Sequence, residues 1–374
     1  MNDKHLDALL RFLPECRIAV LGDFALDRRL LIDPVPADHA PETGLPVHQI
    51  IETRTELGAA ANVVRNLAAL RVGQVYPVGL IGQDADAFEL ARAFDSLGVR
   101  RDFLRQVPGR STPVSIRAVL CPPGQPPREQ SRFDIAPRSP LSADAEKELI
   151  ADLRAAFAAA DALIVADHAE AGKPGIVTAA LREAVAALPR TRRDKPIVAR
   201  SLLHIDRFRS VLIQLTAAEA LTQLGRSPDQ GITGTPLEWC PRNSGALLGE
   251  HGVPAPSLVE MMQIGQRTAE RNLRPVLITL GTDGLLVCTP ARARKIPAFP
   301  IPGAADPAGA GDTLLATFTA SLAAGVSLDD AALLGAVAAS LTVEQTGRIG
   351  TPSPDALRDR FREYARLFPE VALG

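Results

Sequence analysis

The sequence predicts an α/β fold: a doubly wound, mostly parallel sheet flanked by helices, with a small β lid outside it. Three observations carry this expectation. Short apolar runs recur along the chain, amphipathic helical patterns separate them, and two segments of alternating apolar residues break the alternation.

The first run, RIAVLGD at 17–23, is a strand ending in Gly and Asp. ALIVAD (162–167), KPIVA (195–199), VLIQL (211–215) and VLITLG (276–281) are runs of the same kind. Between them AAANVVRNLAALR (59–71), DADAFELARAFDSLG (84–98) and SADAEKELIADLRAAFAAA (142–160) show helical spacing. Asp84 and Ser142 are expected as N-caps, and Gly98 closes the second helix. Strands alternating with such helices form parallel βαβ units, and their ligands sit beyond the carboxyl ends of the strands. Asp23 and Asp167 stand at two such ends. The segments 28–57 and 110–136, with LPVHQIIETRTEL and STPVSIRAVL, suit exposed β structure and form the expected lid. The stretch 222–270 opens with many Pro and Gly residues and closes on an amphipathic run; it reads as a surface loop or insertion. The whole chain, 1–374, is expected to be one domain.

Composition narrows the function. Lys and Arg (41) nearly balance Asp and Glu (43), so the basic field that nucleic acid needs is missing. Cys16, Cys121, Cys240 and Cys288 lie far apart without a C-x-x-C pair, which argues against zinc and against a secreted disulfide framework. The start has no apolar leader, and uncharged stretches fall short of the ~20 residues a membrane span needs. A soluble, cytoplasmic protein without a nucleic-acid or membrane partner is expected.

The chemistry concentrates in DPAGAGDTLL at 306–315. The first turn of a helix presents amides without intrahelical partners and a partial positive charge. Gly309, Ala310 and Gly311 leave those amides open to a phosphate, and Asp312, on the same turn, can accept a proton from an attacking alcohol. Phosphoryl transfer needs little more than an in-line nucleophile and neutralised charge. The competing reading makes the glycines loop residues and Asp312 a partner of the helix dipole. G-x-x-x-x-G-K-[ST], G-x-G-x-x-G after a strand and a serine elbow are all missing.

These residues resemble the ribokinase-like, or PfkB, carbohydrate kinases. DPAGAGDT is the most specific match; LGAAANVVRNLAAL (57–70), VGLIGQDADA (78–87) and TLGTDG (279–284) follow the family's order. Within that family VLGDFALDRRL (20–30) and APETGLPVHQIIETRTELGAAAN (40–62) are similar to the D-glycero-β-D-manno-heptose-7-phosphate kinases. The resemblance implies that Asp23, Asp27 and Asn62 hold sugar hydroxyls and that Gly58 and Ala59 let the sugar lie against backbone. Thr112 and Arg117 of the lid reach a sugar phosphate in this reading, although an arginine on a strand edge is commonly solvated. It implies Asp312 as base, Gly309 to Gly311 as anion hole, and Thr279, Gly281 and Gly284 along ATP. Mg²⁺ on the β- and γ-phosphates and a monovalent cation such as K⁺ near Asp306 and the 347–350 loop complete the implied set. Asp23 as the close of a strand turn and Asn62 as a helix cap remain the alternatives.

Three positions depart from the heptose-kinase pattern. Ser115 replaces the lysine of T-K-x-R, Arg200 replaces the aspartate of D-P-K, and Ala218 replaces the asparagine of T-P-N-x-x-E. Arginine cannot perform the electrostatic role of aspartate. The expected function is therefore an ATP-dependent kinase of a sugar or sugar phosphate. One rival is a non-catalytic relative that binds sugar phosphate or nucleotide as a sensor or partner subunit; another is a kinase for a nucleoside or other small alcohol. Exposed lid strands predict a C2 homodimer in which two chains clasp lids.

Overall fold

A computed structural model of the chain describes residues 1–35, 38–170, 172–192, 194–222, 257–347 and 349–372. Among them the strands are, in chain order, β1 (Arg17–Gly22), β2 (Phe24–Ile32), β3 (Asp38–His39), β4 (Pro46–Val47), β5 (Ile50–Ala59), β6 (Gln74–Ile81), β7 (Phe103–Gln106), β8 (Val114–Leu120), β9 (Arg128–Ile135), β10 (Ala162–Asp167), β11 (Ile197–Ser201), β12 (Leu212–Thr216), β13 (Val276–Thr279), β14 (Leu285–Cys288) and β15 (Ala293–Ile296). The α-helices that matter to the packing are α1 (Asp3–Phe12), α2 (Ala60–Ala69), α3 (Ala85–Ser96), α4 (Ala143–Ala159), α5 (Ala179–Ala187), α6 (Ala217–Thr222), α7 (Leu258–Asn272), α8 (Ala310–Ala323), α9 (Leu328–Val343) and α10 (Pro354–Leu367).

The main sheet has nine strands in the order β15-β14-β13-β12-β11-β10-β1-β6-β7. It is parallel from β7 across to β13 and antiparallel at β13-β14 and β14-β15. Successive strand residues feed opposite faces. Ile18, Val20 and Ile164 pack with Leu6, Val63, Leu90, Leu315 and Leu334 on one side. Ala19, Leu21 and Leu163 pack with Leu149, Leu181 and Met261 on the other. Burial on both faces is why these strands read as unbroken apolar runs rather than alternating ones. The strand order reverses between β1 and β10, which makes the crevice beyond their carboxyl ends the ligand position of such a sheet.

The lid is a separate sheet, β5-β2-β8-β9, with β2 and β8 parallel and the outer pairs antiparallel. Its strands start earlier and end later than the expected 28–57: β2 begins at Phe24 and β5 runs to Ala59. Asp27, Gly58 and Ala59 therefore ride on lid strands at their root. The second segment, 110–136, contains β8 and β9 as expected.

The expected insertion needs correction. Residues 223–256 lie outside the described residues, but 257–270 belong to the packed fold. Ser257 opens α7 with a reciprocal capping box to Glu260, and Met261, Ile264 and Ala269 are buried. A Cβ on Gly265 would fall 2.2 Å from Cys288 Sγ, so the helix needs glycine to reach β14. The sheet also contains β6, β7, β14 and β15 beyond the runs named from the sequence. The caps come out as expected: Asp84 accepts from the Ala87 amide, Ser142 from the Ala145 amide, and Gly98 has φ 68°. Cys16, Cys121 and Cys288 are free thiols; Cys240 is outside the described residues. No helix among the described residues is long and apolar enough to cross a membrane.

Candidate active site

Asp312 sits on the first turn of α8, 7 % exposed, beside the carboxyl ends of β10 and β11. Gly309 forms the N-cap at φ 78°, a conformation that favours glycine, and a Cβ there would come within 2.5 Å of Ile349 and 2.9 Å of Asn62 Nδ2. Ala310 and Gly311 follow, so the helix opens without a capping side chain.

Three groups converge on the Asp312 carboxylate. Asn62 Nδ2 donates to Oδ2 at 2.9 Å, His168 Nε2 lies 3.3 Å from Oδ1, and Arg200 Nη1 donates to Oδ1 at 3.4 Å. Burial alone would raise the proton affinity of Asp312. The hydrogen bond and charge of His168, the charge of Arg200 and the Asn62 amide outweigh it, and the carboxyl lies below its ordinary value. Burial pushes His168 the other way, toward neutrality, but its hydrogen bond to Asp312 prevails and holds its proton more tightly than usual. Geometry gives the same answer. His168 Nδ1 is 3.2 Å from the Ala166 carbonyl while Nε2 faces a carboxylate, so both ring nitrogens meet acceptors and both need hydrogens.

Asn62 corrects two expectations. It lies inside α2, whose N-cap is Ala59, so it is not a helix cap. Its Oδ1 accepts from Arg65 and Asn66, which turns the amide nitrogen toward Asp312 rather than leaving the side chain free for a sugar. Asn66 also accepts from the Thr313 hydroxyl, tying α2 to α8 below the site. Ala59 has φ 49° and ψ −131°, left-handed backbone that a Cβ resists. Gly58, by contrast, would admit a Cβ at 3.4 Å from its nearest neighbour, so packing does not demand its glycine.

Asp23 follows β1 at the switch point. Its Oδ1 accepts from the Ile176 amide at 3.0 Å, while Oδ2 is buried without a partner. Burial pushes its pKa up to about 6, against the Ile176 hydrogen bond and with help from Asp167. Asp27 pairs with Arg117 at 3.3 Å, yet its Oδ1 and the Oγ of neighbouring Ser115 are likewise buried and unsatisfied. Buried acceptors left open beneath the lid fit hydroxyl donors from a ligand. Asp167 is instead occupied: it accepts from Ser201 Oγ at 2.7 Å and from the Ala169 amide.

One expectation fails here. Thr112 is fully buried; its hydroxyl donates to Asp84 and accepts from the Gly82 amide, so it latches the fold and is not turned to a sugar phosphate. Asp306 has one oxygen on the Ala308 amide and the other 4.0 Å from Arg29. Arg29 thus supplies a distant counter-charge to Asp306, and residue 348 of the 347–350 loop lies outside the described residues. No group of three or more His, Cys, Asp or Glu side chains converges among the described residues. A divalent ion would come with the nucleotide phosphates.

Thr279 ends β13, its hydroxyl 3.5 Å from the Leu215 carbonyl, and Gly281 (φ 60°) and Gly284 (φ 99°) bound the turn into β14. A Cβ on Gly284 would lie 2.0 Å from the Ile296 carbonyl, so this glycine answers to packing whatever the turn binds. Clefts of about 500 Å³ beside α3 and 280 Å³ beneath β11 and β12 are lined by other residues, such as Phe88 and Arg101 or Lys195 and Leu212, and include none of the groups around Asp312. Sequence reasoning missed His168, and treated Arg200 and Ser115 only as departures; all three border the site. The position of His168 just past an apolar strand end was the signal available.

A switch-point crevice, a bare helix start carrying a buried carboxylate, and a β lid rooted beside them define the ribokinase-like class of folds. Solved structures agree: a ribokinase of Arabidopsis thaliana complexed with ribose and ATP superposes with a TM-score of 0.63 at 18% identity, covering 92% of this chain and 98% of that one. Phosphofructokinase-2 of Escherichia coli in complex with fructose-6-phosphate gives 0.64 at 16%, covering 94% and 99%. A family profile described as pfkB family carbohydrate kinase matches residues 245–356. Curated bifunctional proteins HldE are similar along most of the chain. That of Trichlorobacter lovleyi is 28% identical over 349 residues (93% of this chain, 63% of the relative), and that of Alkalilimnicola ehrlichii is 29% identical over 345 residues (90% and 61%). The chain spans less than two thirds of the length of these relatives. The fold is thus ribokinase-like, and residues 245–356 are similar to the pfkB family of carbohydrate kinases.

Proposed function

We propose that the protein is an ATP-dependent kinase that phosphorylates a hydroxyl of a sugar or sugar phosphate of the heptose-7-phosphate kind, acting as one kinase domain with its lid. The observation that carries this reading is the buried Asp312 carboxylate on the first turn of α8, met by donors from Asn62, His168 and Arg200 at the carboxyl ends of β10 and β11. In the proposed reaction a sugar hydroxyl attacks the γ-phosphorus. The new O–P bond forms as the bond to the β–γ bridging oxygen breaks, and the hydroxyl proton passes to Asp312. Asp23 Oδ2, Asp27 Oδ1 and Ser115 Oγ supply the open acceptors for the sugar. Gly58 lets the sugar lie against backbone, and Arg117, 3.3 Å from Asp27 and partly exposed, is placed to meet an acceptor's phosphate. The Ala310 amide already donates to the Pro307 carbonyl at 3.1 Å, which leaves the amides of Gly309 and Gly311 for the transferred group in this reading, with the turn around Thr279, Gly281 and Gly284 along the nucleotide.

The lid has the marks of a covered surface. Ile50, Ile51 and Phe133 on its strands are 52%, 60% and 59% exposed, and a second copy clasping this face would bury them. The protein is read as a cytoplasmic homodimer; light scattering that returns monomer mass alone would remove the pairing.

The reading is tested with Mg-ATP and a panel of hexoses, pentoses, heptoses and their phosphates, following ADP release. Turnover on one acceptor class, lost by about 10²-fold or more in Asp312→Asn with nucleotide affinity kept, is expected. Tight ligand binding without transfer to any acceptor would instead favour the sensor reading, which the replacements at Arg200 and Ala218 motivate.

A further inference from the structure

We infer that Arg200 is a catalytic residue whose guanidinium contacts the phosphoryl group in transit, a fixed positive charge where the family pattern carries an aspartate. The inference rests on the kinase reading above. Arg200 is the last but one residue of β11, and its guanidinium lies against the peptide of Gly311: a Cβ there would fall 2.1 Å from Nη1 and 2.9 Å from Cζ. The glycine is what lets a cation settle on the start of α8.

That placement suits an anion. The helix start is itself partially positive, and the His168 imidazolium borders the same carboxylate. His168 also feels the Asp23 carboxylate, so Asp312 is the anion that Arg200 and the helix terminus share. The contact between Arg200 and Asp312 is long, 3.4 Å against the 2.7–2.9 Å usual for a charge-assisted hydrogen bond, and it is the one hydrogen bond of this guanidinium among the described residues. Its side chain remains 19% exposed, so further N–H donors are left without a protein acceptor. A guanidinium on a helix start, with donors left over beside the proton acceptor, matches a group carrying two or more negative charges, as the terminal phosphate of a nucleoside triphosphate does. Arg200 makes and breaks no bond; it neutralises charge on the equatorial oxygens as the group moves.

The test compares binding of ADP with that of an ATP analogue whose β–γ link cannot be cleaved, by calorimetry in magnesium buffer, for wild type, Arg200→Ala and Arg200→Lys. Wild type is expected to bind the analogue more tightly than ADP. Arg200→Ala should lose that margin by on the order of tenfold or more while its ADP affinity holds, and Arg200→Lys should keep part of it. Thermal melts of both variants show whether they fold, and the lysine variant carries the test should the alanine variant not. A margin unchanged in a folded variant, or an analogue bound more tightly once Arg200 is gone, overturns the inference; the latter would make Arg200 a plug. Wild type that binds neither nucleotide would sink the kinase reading itself, and the inference with it, and the ADP arm alone reveals this.

Discussion

Asp23→Asn should stabilise the ligand-free protein above pH 6 while weakening its grip on the acceptor. The Asp23 carboxyl keeps one oxygen on the Ile176 amide and buries the other without a partner. Burial raises its pKa from 3.8 to about 6. At about 1.4 kcal/mol per tenfold change in proton affinity, holding this group ionised costs the fold about 3 kcal/mol. The sign follows from the direction. A carboxyl whose folded pKa is raised carries no penalty below its unfolded value of 3.8, a growing one between 3.8 and about 6, and the full penalty above. Asparagine keeps the acceptor for Ile176 and removes the charge. Its melting temperature should therefore match wild type near pH 4, rise above it through pH 4–6, and stay several degrees higher at pH 8. Calorimetric melts across that range measure the gap. A gap independent of pH, or an Asn variant less stable at pH 8, would refute the claim that Asp23 is held as an uncompensated charge. The functional half is read from the acceptor KM, which should rise while that for ATP stays.

Ala59→Gly should stabilise by about 1 kcal/mol, since φ 49° with ψ −131° opposes a Cβ, offset by the greater chain entropy of glycine; a lower melting temperature would contradict this. His168→Gln should lower stability most below pH 6.5. The folded imidazole holds its proton above the usual value, so its contribution is complete below the unfolded pKa and fades as pH rises through the folded one. Melts at pH 6 and pH 9 that show equal losses would exclude the imidazolium.

The fold class was legible because the strands flanking the switch point are buried on both faces and lack polar interruption, as in 162–167. Strand β6 was harder: Pro77 sits in it although it pairs with β1 and β7, and proline ordinarily argues against a central strand. The amphipathic run of α7 follows a Pro/Gly-rich stretch, which drew it into an apparent insertion. At the site, the bare turn of 309–311 and Asp312 could be read locally, because a helix start is a local object. The groups around Asp312 could not. Asn62 and His168 reach it across 250 and 144 residues of chain, and their side chains turn inward because Arg65, Asn66 and the Ala166 carbonyl orient them. Thr112 misled for the same reason, since its partner Asp84 had already been recognised as a helix cap and could serve both.

Asp312 poses a question about mechanism. A base surrounded by an imidazolium, a guanidinium and an amide donor holds protons poorly, and its lowered proton affinity would make it a weak acceptor for an alcohol. Phosphoryl transfer tolerates this. In a loose transition state the bond to the leaving group is largely broken before the nucleophile has lost much charge, so the alcohol becomes strongly acidic only late, when even a weak base accepts its proton. What the early part of such a reaction needs is charge neutralisation and alignment. The cations that weaken Asp312 as a base are the groups placed to supply the first, and the Asn62, Asn66 and Thr313 hydrogen bonds supply the second. A pH–rate profile is the discriminating observation: a carboxylate held low by its neighbours gives kcat no acid limb between pH 5 and 7, whereas rate falling with an apparent pKa near 6 would move the base role to Asp23.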